Sequence, residues 1–280
     1  MDRLIIGVWQ GRCEDGDLAA NLARTGEVID EAGEAGCDLL CLPEQFLAGY
    51  GGGKELLDCA MTLEDERLVA LAERAHKRGV VALVGLVEKR GEGYANTQVI
   101  LDGGRVAGHY TKTMLIPADR RIMDAYDDEL PVFGARGVTF GVIICHDSSF
   151  PEIAATMAWK GAKIIFSPHY NAIRRDAMDD HRIRVRNNHV GIAAHYGVVV
   201  ARSNVVGYWP DEDRYGYGDS AIFAPNGAPL AEAGLFTEKL ITADVAACLA
   251  PSPWRNRRDL RPAIIRQLYD AASAALKANA

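Results

Sequence analysis

One nine-residue pattern occurs twice in this chain. Gly36-Cys37-Asp38-Leu39-Leu40-Cys41-Leu42-Pro43-Glu44 aligns without a gap to Gly161-Ala162-Lys163-Ile164-Ile165-Phe166-Ser167-Pro168-His169, with the glycine, the proline and the apolar centre of a strand kept. Around both copies, short β-rich runs alternate with helical stretches, the pattern of an α/β protein. Residues 4–9 read as strand and 18–35 as helix, where Leu18, Leu22, Val28 and Ile29 mark an apolar stripe. Strand 38–42, helix 63–78 and strand 80–87 follow. The second half repeats the rhythm with strand 139–144, helix 150–160, strand 163–167, helix 177–195 and strand 198–202. The repetition predicts a single domain over residues 1–280 with internal pseudo-symmetry, in which Glu44 and His169 sit at equivalent strand ends on either side of one cleft. No Ser/Gly-rich linker divides the halves, and 117–129 reads as an insertion-like loop of the kind that lines sites.

Cys145 leaves the apolar run 139–144 and enters His146-Asp147-Ser148-Ser149-Phe150-Pro151-Glu152, which reads as a helix start. A thiol at the carboxyl end of a strand reaches a cleft, and a following helix N-terminus favours a thiolate or an oxyanion. Two upstream segments supply partners. Leu42-Pro43-Glu44 delivers a carboxylate at a buried-looking strand end, and Tyr110-Thr111-Lys112 delivers an ammonium after the polar strand 104–109.

Glu44, Lys112 and Cys145, in that order and in those contexts, resemble the nitrilase superfamily of carbon-nitrogen hydrolases. The resemblance runs from the first strand through Leu-Pro-Glu, Tyr-x-Lys and Cys-x-Asp-x-x-Phe-Pro-Glu to Ser220-Ala221-Ile222-Phe223-Ala224-Pro225-Asn226-Gly227. It implies a four-layer α-β-β-α sandwich, two sheets face to face with helices outside. It also implies roles that suit the residue types: Cys145 as nucleophile, Glu44 as general base and acid, and Lys112 with the His146 backbone N–H as oxyanion stabilisers. Superfamily members often carry a second glutamate shortly after the lysine. Here Asp119 best matches that position, one methylene shorter, and reads equally well as the partner of Arg120 or Arg121.

His146, Tyr50, His169 and Tyr170 are further pocket candidates, His169 reading equally as a satisfied buried histidine. Gly51-Gly52-Gly53-Lys54 reads as a lid at the pocket mouth, and Ser149-Phe150-Pro151-Glu152 as a capping box that makes Glu152 structural. No HxH, CxxC or phosphate-loop spacing appears, so neither a metal nor a cofactor is expected. A Cys-His peptidase and a catalytically silent binding protein are the rival readings.

True nitrilases resemble one another in Cys-Trp-Glu, whereas Cys145-His146-Asp147 is closer to the amidase and carbamoyl-hydrolase branches. A small aliphatic amide or ω-amide is the first expected substrate, cleaved through a thioester with release of ammonia, and an N-carbamoyl amine or amino acid the second. Carbamoyl amino acid hydrolases often place arginines just after the cysteine, where this chain has Ser148 and Ser149, leaving Arg174 or Arg175 for that task. With 31 Lys and Arg against 38 Asp and Glu, the net charge of −7 gives no general attraction to nucleic acid or anionic membrane. The basic stretches 182–186 and 255–261 read as solvated helix faces or ion pairs. Scattered cysteines, with Cys37, Cys41 and Cys59 as core hydrophobes, and no apolar span point to a reducing cytoplasm. The resemblance implies a homodimer or larger homo-oligomer. The tail from about 251 to 280, with its stripe Leu260, Ile264, Ile265, Leu268 and Tyr269, is a candidate for a subunit interface or for packing on its own subunit.

Overall fold

Chain reversals at Gly36 and Gly161, whose φ angles of +69° and +106° lie in the left-handed region that favours glycine, end a helix and launch a strand in each half. The computed structural model describes residues 1–50, 53–210, 213–250 and 262–278. The first half holds β1 (Ile5–Gln10), α1 (Leu18–Glu34), β2 (Leu39–Cys41), α2 (Lys54–Asp58), α3 (Glu66–Lys77), β3 (Val81–Arg90), β4 (Gly93–Asp102) and β5 (Arg105–Thr111). The second holds β6 (Phe133–Ala135), β7 (Val138–Val142), α4 (Pro151–Trp159), β8 (Ile164–Pro168), β9 (Ala172–Arg174), α5 (Met178–Tyr196), β10 (Val199–Ser203), β11 (Val206–Trp209), β12 (Arg214–Phe223), β13 (Pro229–Leu235) and β14 (Lys239–Asp244).

Two sheets result, in the orders β14-β1-β2-β3-β4-β5 and β11-β12-β10-β8-β7-β6, with β9 and β13 also pairing with β12. The duplicated strands occupy matching places. β2 lies between parallel β1 and β3, and β8 between parallel β7 and β10. Because side chains alternate along a strand, Leu39 and Cys41 of β2 join a buried cluster with Phe140, Phe166 and Val200 of the opposing sheet. Leu40 and Leu42 turn the other way, onto Val28 and Ile29 of α1 and Leu68 and Ala72 of α3. Ile153 and Met157 of α4 and Ile192 of α5 cover the second sheet. The expected four-layer α-β-β-α sandwich with internal pseudo-symmetry is therefore observed. The expected helices and first-half strands recur with ends shifted by a few residues, but β4 has no counterpart in the sequence expectation. Its centre, Asn96-Thr97-Gln98, is polar yet almost fully buried, which breaks the apolar pattern of a core strand. All three side chains have specific partners: Glu44, Glu88 and the Leu42 carbonyl.

Residues Met1–Leu249 form one compact unit and Ala250–Ala280 a second. In the second, α6 (Pro262–Ala278) exposes Ile264, Leu268 and Tyr269. The basic stretch 255–261 lies outside the described residues, as do residues 51 and 52 of the expected lid. Arg186 and Arg182 of the other basic stretch pair with Asp219 at 3.1 and 3.9 Å. Cys37, Cys41 and Cys59 are buried free thiols. No described helix is long and apolar enough to cross a membrane.

The duplicated strand β8 ends over a buried histidine pair. His169 Nε2 lies 3.1 Å from His189 Nε2, and the Ser167 hydroxyl lies 3.0 and 2.9 Å from the same two nitrogens. His189 Nδ1–H donates to the Val185 carbonyl (2.7 Å), leaving its Nε2 as an acceptor. Burial, reinforced by the charge of Arg202, drives both imidazoles down, His189 to about 3. The folded pair stays neutral where the unfolded histidines, with the ordinary value of 6.5, bind protons. Stability is then complete above about pH 6.5 and falls as pH drops toward 3, by about 1.4 kcal/mol per histidine for each pH unit within the window. Urea unfolding at pH 7, 6 and 5 checks this, and equal stabilities at all three would contradict it.

Candidate active site

Glu44 sits where the chain leaves β2 and crosses close over β3. A Cβ on Gly85 would stand 2.4 Å from the Gln45 nitrogen and 2.6 Å from the Pro43 carbonyl oxygen, so only glycine lets the crossing pass. The Glu44 carboxylate is fully buried and accepts three hydrogen bonds. Lys112 Nζ (2.8 Å) and Asn96 Nδ2 (2.7 Å) donate to Oε1, and the Tyr170 backbone N–H (2.9 Å) donates to Oε2. Its own backbone N–H donates to the His169 carbonyl at 3.3 Å. The two ends of the duplicated segment thus meet directly.

Lys112 follows β5 and is held by β4, its N–H donating to the Asn96 carbonyl (2.9 Å). Its ammonium, also fully buried, bridges Glu44 and Asp119, lying 2.7 Å from Asp119 Oδ2. The loop 117–129 therefore turns Asp119 inward. Asp119 also accepts from the Tyr50 hydroxyl and from the Ile116 N–H (3.0 Å). The alternative ion pair of Asp119 with Arg120 or Arg121 is not formed, because the buried ammonium and hydroxyl occupy the carboxylate. The Tyr50 ring lies under Lys112 Nζ, 5.9 Å from its centroid, and stacks on Tyr170 at 5.1 Å.

Cys145 differs from the sequence expectation in its local geometry. The residue has φ +49°, in the left-handed region, and opens a 3-10 turn (Cys145–Ser149), not an α-helix; α4 starts only at Pro151. The expected Ser149 capping box is not made, because Phe150 caps α4 without a side-chain bond, whereas Pro151 occupies the first turn as expected. A left-handed non-glycine residue costs on the order of 1–2 kcal/mol, and Asp147 supplies the compensation. Its buried carboxylate accepts from the Ile144 N–H (2.8 Å) and Tyr110 hydroxyl (2.8 Å) at Oδ2, and from the Met114 N–H (2.8 Å) and Thr113 hydroxyl (3.1 Å) at Oδ1. Asp147 thereby ties the Cys145 elbow to the segment that carries Lys112. Asp147→Ala strands three donors, since the Tyr110 and Thr113 hydroxyls, 3.0 Å apart, can satisfy one of their two O–H groups between them, at about 1–3 kcal/mol for each one left buried. A loss of at least about 3 kcal/mol, lowering Tm by roughly 6–12 °C, is expected in thermal unfolding; an unchanged Tm would exclude this anchoring.

The Cys145 thiol faces Glu44 and receives the Asn171 amide, Nδ2 to Sγ 3.5 Å. Burial and the Glu44 carboxylate push the thiol up, with Lys112 opposing them. Burial likewise raises Glu44 against the pull of Lys112. For Lys112, burial disfavours the ammonium, but the facing groups, Glu44 first, outweigh it and hold the amine charged. A neutral thiol beside a carboxylate of raised basicity and a permanent cation can give up its proton as it attacks a carbonyl, while the cation meets the charge that develops.

The remaining expected site residues divide. His146 is half-buried, its ring edge-on to Phe150 at 5.3 Å. Tyr170 contributes its N–H to Glu44, and its hydroxyl donates to Asp15 (2.7 Å). His169 lends the site its carbonyl, but its ring belongs to the buried pair with His189, which removes it from the expected pocket wall. Arg174 is exposed and bound to Asp176 (2.6 Å), and Arg175 lies over the Tyr215 ring, so each has another partner than a substrate carboxylate. Asn96, Asn171 and the anchoring role of Asp147 escaped the sequence reading. Asn171 alone left a signal, standing just past the second copy of the duplicated segment. Among the described residues, no group of three His, Cys, Asp or Glu is placed to hold a metal.

The family model of the carbon-nitrogen hydrolases matches residues 5–250. A protein described as a hydrolase in the pqqF 5' region of Pseudomonas protegens is 35% identical over 92% of this chain and 87% of its own length. An (R)-stereoselective amidase of a Pseudomonas species is 33% identical over 67% of this chain and 71% of its own. Among solved structures, an amidase from a Nesterenkonia species superposes with a TM-score of 0.77 at 23% identity, over 95% of this chain and 96% of that one.

Proposed function

This chain belongs to the carbon-nitrogen hydrolase family, and on that premise we propose that it cleaves a small linear amide with Cys145, Glu44 and Lys112. The enzyme is a hydrolase of the amidase type. Cys145 Sγ attacks the amide carbonyl carbon as its proton passes to Glu44, and Lys112 with the His146 backbone N–H meets the tetrahedral oxyanion. Collapse breaks the C–N bond; the proton on Glu44 leaves with the ammonia, and a thioester remains. Water, giving a proton to Glu44, then attacks the thioester carbon, the carboxylic acid departs and the thiol is restored. Asp119 takes the place of the family's second carboxylate and fixes the Lys112 ammonium.

The observation that carries this reading is the Glu44 carboxylate, buried, held by three donors and facing the Cys145 thiol. The engagement of Arg174 with Asp176 supports a substrate without a carboxylate next to the scissile bond. The exposed apolar residues of α6 support self-association through the tail. Ammonia release from short aliphatic amides, ω-amidated dicarboxylates, N-carbamoyl amines and amino acids, and nitriles tests the reading. Turnover of the short amides is expected. Turnover of carbamoyl compounds alone would replace the substrate class, and silence across the panel with a slowly alkylating Cys145 would replace the enzyme by a binding protein.

A further inference from the structure

We propose that Asn171 is a hydrogen-bond donor to the Cys145 thiolate, and that Arg202 is the positioning residue that fixes and polarises it. The proposal rests on Cys145 being the nucleophile. The orientation of the Asn171 amide follows from its partners. Its Oδ1 accepts from Arg202 Nη2 (3.0 Å) and from the Tyr217 hydroxyl (3.2 Å), and a guanidinium has no acceptor. The NH2 end must therefore face Cys145 Sγ, 3.5 Å away. Its backbone is tied as firmly, the Asn171 N–H donating to Asn204 Oδ1 (2.8 Å) while Asn204 Nδ2 donates to the Gly218 carbonyl (2.7 Å).

Arg202 is the unusual element. It lies on β10, is 1% exposed, and no carboxylate among the described residues pairs with it. Asp219 offers it only a backbone carbonyl, as does Gly218 (2.9 Å), while the Asp219 side chain faces Arg186 and Arg182. A permanent cation buried among neutral acceptors is costly, and an apolar side chain of similar volume would fill the space more cheaply. The charge has a use in line with the Asn171 amide. Pulling electron density toward Oδ1 strengthens the N–H donor at the far end, where negative charge appears as the thiol ionises. The other charged or titratable groups near the thiol are Glu44, Lys112 with Asp119 behind it, Tyr50, Tyr217 and the adjacent His146. Only Lys112 among them favours the thiolate by charge, so a hydrogen-bond donor 3.5 Å from the sulfur bears on whether it forms.

The test is the pH dependence of Cys145 alkylation by iodoacetamide, followed by mass spectrometry of the Cys145 peptide, beside kcat and KM for amide turnover. Asn171→Asp keeps one oxygen for Arg202 and Tyr217 and turns the other, an acceptor, toward the sulfur. Its alkylation midpoint is expected to rise by one pH unit or more, with kcat falling about a hundredfold and KM moving less than threefold. Arg202→Met is expected to move both quantities in the same direction by about tenfold or less, together with a lower thermal stability because the buried Gly218 and Asp219 carbonyls lose this donor. Should Asn171→Asp fail to fold, Asn171→Ala removes the donor without adding charge, and about a tenfold loss in kcat with a raised midpoint is expected. Unchanged midpoints and kcat in the Asn171 variants, with Cys145→Ala inactive, overturn this inference alone. Amide turnover retained by Cys145→Ala overturns the proposed mechanism beneath it.

Discussion

Glu44→Gln is expected to lower ammonia release by at least about a thousandfold and, at the same time, to make Cys145 alkylate faster at neutral pH. The two effects have opposite signs because the carboxylate does two things. As a base it takes the thiol proton and returns it to the leaving ammonia, a role worth about 10²–10⁴ in rate. As a buried negative charge facing the thiol it also holds the resting thiol protonated, while Lys112 works the other way. Glutamine abolishes the first function and removes the second, so Lys112, still paired with Asp119 but no longer opposed by Glu44, draws the thiol toward thiolate. The amide also fits its neighbours poorly, since Lys112 and Asn96 donate on one side and the Tyr170 N–H on the other. Its NH2 end must face a donor whichever way it turns. In the wild type, kcat/KM should fall toward acid with a midpoint above 4.5, the ordinary carboxyl value, because burial raises Glu44 and the base must be ionised to act. Parallel assays of ammonia release and iodoacetamide uptake decide the matter. Alkylation slowed as much as turnover would mean that Glu44 generates the thiolate in the resting enzyme.

The strand ends were legible in the sequence because Leu42-Pro43-Glu44 and Cys145 close apolar runs, and a residue that ends such a run must emerge at a cleft or a surface. The duplication was legible for a similar reason: Gly36 and Gly161 both perform left-handed reversals that few other residues allow. What could not be read was the polar interior. Asn96 and Asn171 look like loop or edge residues by composition, and Asp147 like one member of a titratable run. Each is placed by partners distant in sequence: Glu44, Arg202, and the 110–114 segment. No local periodicity encodes such pairings. The same holds for the left-handed Cys145, since the run into Pro151 reads as a continuous helix start until the Asp147 carboxylate is seen to cap the Ile144 N–H.

Lys112→Met carries the second large expected effect, on stability as well as on rate. The substitution preserves length and apolar volume but leaves Glu44 and Asp119, two buried carboxylates, without the ammonium that lies 2.8 and 2.7 Å from them. Removing one partner of a buried charge cluster costs about 3–5 kcal/mol, or roughly 6–20 °C in Tm for a chain of this size, and amide turnover should fall to background. The pH dependence gives the mechanism away. With no cation between them the two carboxylates cannot both stay ionised, so one is held above its ordinary value and takes up a proton in the fold more readily than in the unfolded chain. A group whose folded pKa is raised stabilises below its unfolded value and loses that contribution as pH climbs through the folded one. The deficit of Lys112→Met should therefore be largest near pH 8 and shrink toward pH 5. Adding Asp119→Asn removes one of the opposed charges and should recover about 0.5–3 kcal/mol by coupling, with turnover still absent because the oxyanion has lost its cation. Urea unfolding of the single and double variants at pH 8 and pH 5 measures all of this. A deficit in Lys112→Met that does not change between pH 8 and pH 5 would show that the side chain acts there by packing, and that its charge is balanced elsewhere.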